Sequence, residues 1–441
     1  MCFSVICAGC SVWGDNLNLM RPPKAAGDKA EIQRILDKTT NGEYTLKYPK
    51  NGEYRSAIIM KDLNNDGSLE AVALYSGKND PTSGINVLIM AEKEDGWIVI
   101  GNFSNKSTEI NKVSFADINS DGMIEIIVGW GGYSISASQI SIYYWNDNNI
   151  NEIINEHSFS NYSVGDYNGD NVDEILLISI ATANSPAIAQ MVSLKPETNT
   201  LYTVAEARLD PDVNKIVQIK NCKIGARQSA AVIDGKTSLG IYNTQIIYFD
   251  TEKNVLKNSL YMKQVEENVT SRPIPVFSAD FSNNNEVQIP TCHLMPHGEH
   301  EDILSVAYLT TWNIYSAHTD SLDPVSRTVL NLTYNYSFTL SDKWENDEFI
   351  TARYSEDESV LTFYKWDDVY TSVRQREKLM IIKVFSIDEW VTPDLAEGYT
   401  LFERTAEYVY AYSIPGNSYL NAGDETEMAA SFKFFVQPII Y

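Results

Sequence analysis

At 441 residues the chain exceeds what one ordinary hydrophobic core organises, and two or three folded units are expected. Its formal net charge of -25 repels phosphate backbones, which excludes nucleic acid as an expected partner and suits a chain that gathers divalent cations. Hydrophobic residues at 44% argue against wholesale disorder, and 26 tyrosines tilt the composition towards strand.

The first residues read as an address label. Phe3-Ser4-Val5-Ile6-Cys7-Ala8-Gly9-Cys10-Ser11 is a short apolar run ending in small residues and a cysteine. It falls well below the about 20 residues that span a bilayer. The run resembles the end of a signal peptide followed by the lipobox of bacterial lipoproteins. That resemblance implies that residues 1–10 are a signal remnant and that Cys10 is the acylated first residue of the mature protein. It also implies a lipid-anchored protein on the bacterial cell surface. Cys7 stands where that family usually has Leu, and no basic stretch precedes it. Cys222 and Cys292 stand alone in the body, which is no disulfide framework: they form either one bridge or two buried thiols.

Residues 11–50 read as a linker with a short helix. Pro22 and Pro23 lie upstream, Asp28 with Glu31 resembles a capping box, and Ile32, Ile35 and Leu36 share one helical face.

Beyond residue 50 an internal repeat dominates. Three nine-residue segments, Asp62–Glu70, Asp117–Glu125 and Asp166–Glu174, recur with a period of about 50 residues, and each runs directly into an apolar strand. A weaker copy, Asp280–Gln288, follows two periods later, and between them Ala231–Gly235 marks a unit that has lost its loop. Each period also carries further strands, such as Ile85–Met90 with Trp97–Ile100, Gln139–Trp145, and Thr244–Phe249 with Val255–Tyr261. Repeating four-stranded sheets at this spacing predict a mainly β chain: a β-propeller of about five blades over residues 51–340. Past Trp344 the repeat stops. Strands over Phe349–Tyr354 and Val360–Trp366, an ambiguous Gln375–Ile382, and a terminal helix capped by Asp424 and Glu427 with Met428 and Phe432 on one face predict a small α+β domain over 341–441.

The repeated loops offer hard oxygen ligands. In D-x-N-x-D-G-x-x-E, alternate side chains at positions 1, 3 and 5 converge, position 7 supplies a backbone carbonyl, and position 9 a carboxylate. Such a set suits Ca²⁺ better than Mg²⁺, which demands stricter geometry. An EF-hand is excluded because its position 12 needs Glu, and here Ala73, Val128 and Leu177 stand there. The loops resemble the calcium-binding FG-GAP/VCBS-type repeats of integrin-alpha-like propellers. That resemblance implies two to three structural Ca²⁺ ions. The first ligand set would be Asp62, Asn64, Asp66, Ser68 and Glu70, with Ser68 contributing its backbone oxygen. The second would be Asp117, Asn119, Asp121, Met123 and Glu125, and the third Asp166, Asn168, Asp170, Val172 and Glu174, with Met123 and Val172 again donating backbone oxygens. The family commonly has Asp where these loops have Glu at position 9. The fourth copy keeps only Asp280 as a carboxylate at its first three ligand positions, where Ser282 and Asn284 follow, has Gln288 in place of Glu, and is expected to bind metal weakly or not at all.

Outside the repeats, Cys292–Asp302 gathers His293, His297 and His300, a candidate zinc site, though Pro296 and Gly298 break any helix that would align the imidazoles. No P-loop, G-x-S-x-G elbow or dinucleotide fingerprint occurs. Gly129-Trp130-Gly131-Gly132-Tyr133 is either a rim anchor for a ligand or core between blades. The expected function is therefore a surface-anchored binding protein for a protein or glycan. The alternatives are an extracytoplasmic hydrolase or lyase using the propeller channel or the His293–His300 loop, and an accessory subunit of an envelope complex.

Overall fold

The computed structural model describes residues 27–78, 84–94, 96–131, 138–146, 149–195, 198–224, 228–262, 267–281, 286–340, 350–366, 376–415 and 429–435. Cys10 and the lipobox, Gly132 and Tyr133, Ser282 and Asn284, and Asp424, Glu427 and Met428 lie outside the described residues. The fold is mainly β and consists of antiparallel sheets, none of them closed. Two compact units are formed. One runs to Phe115 and adds residues 122–131 and 141–152; the other holds the remainder.

Among the described residues, six sheets of four or five strands follow one another along the chain. The first combines Tyr44–Leu46, Ile58–Lys61, Glu70–Gly77, Ile85–Lys93 and Gly96–Asn105. The second holds Glu109–Ala116, Glu125–Gly131, Ser138–Asn146 and Asn149–Phe159, and the third Asn161–Gly165, Glu174–Ser179, Ile188–Lys195 and Thr200–Arg208. The fourth holds Val213–Lys223, Ser229–Thr237, Tyr242–Asp250 and Val255–Asn258. The fifth combines Ile289–Leu294, Tyr308–Ser316, Ser321–Asn331 and Tyr336–Thr339 with Phe432–Phe434 from the far end of the chain. The sixth is Ile350–Tyr354, Val360–Lys365, Lys378–Ser386, Tyr408–Ser413 and Thr400–Arg404. The fourth sheet occupies the position where a repeat unit lacks its loop.

After its opening glutamate, the strand that follows each repeated loop carries apolar residues at consecutive positions, not alternate ones, because both of its faces are covered. In the first unit Val72 and Leu74 pack with Val113, Ile126, Val128 and Trp130. The alternate residues Ala71, Ala73 and Tyr75 face the helix Asp28–Thr40, where Ile32, Ile35 and Leu36 are buried. The same division recurs in the fourth sheet: Ala231 and Ile233 pack with Leu176 and Ile178, while Ala230 and Val232 pack with Ile289 and Tyr315. Trp130 is fully buried and its Nε1 donates to Ser141 Oγ at 2.9 Å, so it is core and not a rim anchor.

Two local expectations are corrected and one open reading is resolved. The helix starts from Gly27, at φ 64, with no side-chain cap, so Asp28 and Glu31 stabilise the positive helix end as first-turn acids and do not form a capping box. Lys378–Ser386 resolves the ambiguous segment as strand. Phe432 opens a strand paired to Tyr336–Phe338, not a helical face, because its ring stacks with Phe402 and Tyr336 in the shared core. That core is continuous across residue 340: Val329, Tyr336 and Phe338 pack with Ile350, Phe363, Ile382 and Tyr412.

One buried ion pair organises the fourth sheet. Asp234 and Arg272 are both inaccessible to solvent, with Nη2 and Oδ1 3.0 Å apart. Thr244 Oγ1, Ser278 N and Gln218 Nε2 donate to the Asp234 carboxylate, and Arg272 donates to Val276 O, Thr270 O and Thr244 Oγ1. Breaking such a pair strands a charge in the core. Asp234→Ala is expected to lower unfolding stability by about 3–5 kcal/mol, and the Asp234→Ala, Arg272→Met double variant by clearly less, measured from denaturant midpoints.

Candidate functional site

The three repeated loops share one backbone. Position 4 takes positive φ at Asn65, Ser120 and Gly169 (56°, 62° and 79°), and position 6 does so at Gly67, Gly122 and Asn171 (90°, 83° and 75°). Asn171 therefore replaces glycine without changing the path, as Asn tolerates the left-handed region.

The position 3 asparagine holds that path in the same way each time, and the acidic side chains add bonds around it. The position 3 amide oxygen accepts the backbone N–H of position 5 at 3.0, 3.0 and 2.8 Å for Asn64, Asn119 and Asn168. Its Nδ2 donates to the position 5 carboxylate at 2.9, 2.9 and 3.0 Å. Position 1 accepts from the turn: Gly67 N donates to Asp62, Ser120 N to Asp117, and Gly169, Asp170 and Asn171 N to Asp166. Position 5 accepts the N–H of position 7, from Ser68 to Asp66 and from Val172 to Asp170. Position 9 reaches back to position 2: Leu63 N donates to Glu70 at 2.8 Å and Tyr167 N to Glu174 at 2.9 Å.

The position 9 glutamates are the unusual members. Glu70, Glu125 and Glu174 are 2%, 0% and 1% exposed, where a carboxylate is rarely found without a counter-charge. Burial, joined by the charges of Asp170 and Asp166, pushes Glu174 up to about 8. Burial and the neighbouring Asp66 and Asp62 also raise Glu70. Asp62 Oδ1 is buried and has no hydrogen-bond partner. Among the described residues no group of three or more His, Cys, Asp or Glu side chains is gathered to hold a metal ion. The loops' donor sets extend beyond those residue types, to an Asn carbonyl and a backbone carbonyl. Their all-oxygen chemistry, the unpartnered Asp62 oxygen and the buried glutamate fit a hard divalent cation.

A feature that sequence reading missed links the loops. Ile124 N donates to Leu63 O at 2.7 Å, Asp173 N to Asp117 O at 3.3 Å, and Ser229 N to Asp166 O at 2.7 Å. Ile124 and Asp173 sit at the ends of the second and third loops, Ser229 opens the strand of the loopless fourth sheet, and each acceptor lies at the start of the preceding loop. The period of the repeat was the available signal, but nothing local announces a bond across about 60 residues.

The histidine segment has a different arrangement. His293 lies on the strand Ile289–Leu294, and His293, His297 and His300 are all exposed. Cys292 lies 3.4 Å from Thr310 Oγ1, and Cys222 is buried; both thiols are free. The segment's acid, Glu301, accepts from both Arg353 and Arg376, and Pro296 O accepts from Thr351 Oγ1 and Arg353. Partial burial opposes the charge on Glu301, but the two guanidiniums outweigh it and hold the carboxyl below the ordinary glutamate range. The stability this contributes is complete above the unfolded value near 4.5 and is lost as pH falls through the lowered native value. The stability difference between the wild type and Glu301→Gln, followed by denaturant unfolding, should therefore be constant from neutral pH to about 5 and shrink below it. Among the described residues no helix is long and apolar enough to cross a membrane. No family model matches the chain, and no curated protein matches its sequence.

Proposed function

We propose that the chain is a calcium-stapled β-propeller that binds a protein or glycan at the bacterial cell surface, held there by a lipid on Cys10. Each four- or five-stranded sheet is a blade in this reading, with the sixth sheet and Phe432–Phe434 extending the propeller past the expected five blades. The observation that carries it is the threefold recurrence of one loop: positive φ at the same two positions, the same pair of bonds from the position 3 asparagine and the same buried terminal glutamate.

A plain polar turn needs no carboxylate at its ninth position, and still less a buried one flanked by two aspartates. In this reading Asp62, Asn64, Asp66, the Ser68 carbonyl and Glu70 hold the first ion. Asp117, Asn119, Asp121, the Met123 carbonyl and Glu125 hold the second, and Asp166, Asn168, Asp170, the Val172 carbonyl and Glu174 the third. The ion supplies positive charge that relieves carboxylate repulsion. A shell filled by protein oxygens serves structure and leaves ligand recognition to other surfaces.

Saturating calcium is expected to stabilise the chain by RT ln(1 + [Ca]/Kd) per site, about 2.7 kcal/mol at a hundredfold excess over Kd. The measurement is thermal unfolding with calcium and with chelator, alongside calcium stoichiometry on the purified chain. Two or three ions per chain are expected, with Glu125→Gln losing one of them and part of the calcium-dependent rise in melting temperature. A melting temperature indifferent to calcium and chelator would sink the ligand assignment and reduce the loops to turns.

A further inference from the structure

We infer that the first two loops take up calcium as a cooperative pair, coupled through Asn65, a residue that ligates neither ion. This coupling rests on the calcium reading of the loops and adds a regulation of one site by the next. Backbone and side chain both join the two loops. Ile124 N donates to Leu63 O at 2.7 Å, and Asn65 Nδ2 donates to Gly122 O. A carbonyl oxygen can only accept, so the Asn65 amide has to turn its nitrogen towards Gly122.

The places these bonds reach give them their consequence. Leu63 and Asn65 are positions 2 and 4 of the first loop and flank Asn64, its position 3 ligand. Gly122 and Ile124 are positions 6 and 8 of the second loop and flank Met123, whose carbonyl is the position 7 ligand. The two bonds therefore bracket one ligand of each ion. Leu63 N also donates to Glu70, the terminal ligand of the first loop, at 2.8 Å. An ion that fixes Asn64 and Glu70 thus fixes the groups that hold Gly122 and Ile124. Part of the cost of ordering the second loop is then already met, which is positive cooperativity without a change of fold. By linkage the second ion tightens the first by the same factor.

The third loop meets the second through a longer bond, Asp173 N to Asp117 O at 3.3 Å. Position 4 of the second loop is Ser120, whose side chain is one bond shorter than the Asn65 amide and whose N–H turns inward to Asp117. The second and third ions are therefore coupled more weakly than the first and second. Asn65 itself stands at φ 56°, a conformation glycine adopts at no steric cost. Replacing it with glycine removes the amide and keeps the backbone path.

Calorimetric titration of the full chain with calcium tests the coupling, with wild type and Asn65→Gly side by side. The wild-type isotherm should be steeper than independent sites allow. Asn65→Gly should bind the same number of ions and melt at the same temperature in chelator, yet lose the steepness and bind the paired ions about tenfold more weakly. A residue that merely held the loop's shape would shift the chelator melting temperature instead. Glu174→Gln, which removes the third ion, should stay steep, whereas Glu125→Gln, which leaves the first and third, should not. Independent sites in the wild type, or an Asn65→Gly isotherm as steep as wild type, would overturn the coupling and leave the calcium reading standing. A chain that binds no calcium overturns both.

Discussion

The arrangement of the repeats depends on a carboxylate placed where a carboxylate is costly. Glu70, Glu125 and Glu174 each stand at the first residue of a strand that is buried on both faces, so they cannot turn to solvent. Glu70 and Glu174 settle one oxygen on the N–H of loop position 2, which closes the loop and sets its register against the strand. The charges around Glu174 are those of Asp170 and Asp166, and around Glu70 the repulsion of Asp66 and Asp62 outweighs the opposing charge of Lys93. Burial fixes the glutamate, and the glutamate fixes the loop against its strand.

The strands behind the loops explain why this cost is tolerated. A strand apolar at consecutive positions is stable only between two covering layers. Neighbouring sheets supply both covers in the middle of the chain, as Ala230–Ile233 shows, whereas the first sheet takes one cover from the helix Asp28–Thr40. The fifth sheet solves its edge with Phe432–Phe434, which pairs onto Tyr336–Phe338 and completes an aromatic core with Phe402 and Tyr410. These different covers serve the same requirement, so an apparently separate C-terminal segment shares its core with the strands before residue 340.

What was legible in the sequence was local and periodic. The spacing of Ile32, Ile35 and Leu36 marked the helix face, the D-x-N-x-D pattern marked the loops, and the apolar run after each marked the central strands. What was not legible was long-range. Asp234 and Arg272 lie 38 residues apart, and Glu301 and Arg376 lie 75 apart, with no pattern between them to suggest pairing. The same range hid how Cys292–Asp302 is fastened: Glu301 and Pro296 O accept from Arg353, while the three imidazoles are exposed. Phe432 was misplaced for a related reason: its strand pairs with Tyr336–Phe338, where Ser337 Oγ donates to Lys433 O across 96 residues.

The fourth sheet separates the scaffold from the loop chemistry. Its hairpin between Val213–Lys223 and Ser229–Thr237 lacks the nine-residue loop, yet Ser229 N still donates to Asp166 O as the later loops donate to earlier ones. Gln228 adds a side-chain bond to Tyr167 O at 2.9 Å, holding the third loop from the far side without any carboxylate of its own. The backbone link between neighbours therefore exists with or without the acidic side chains. The acidic loops are additions to that link, which makes each a local fastening: losing one should loosen its own strand entry while the doubly covered strands keep the sheets folded.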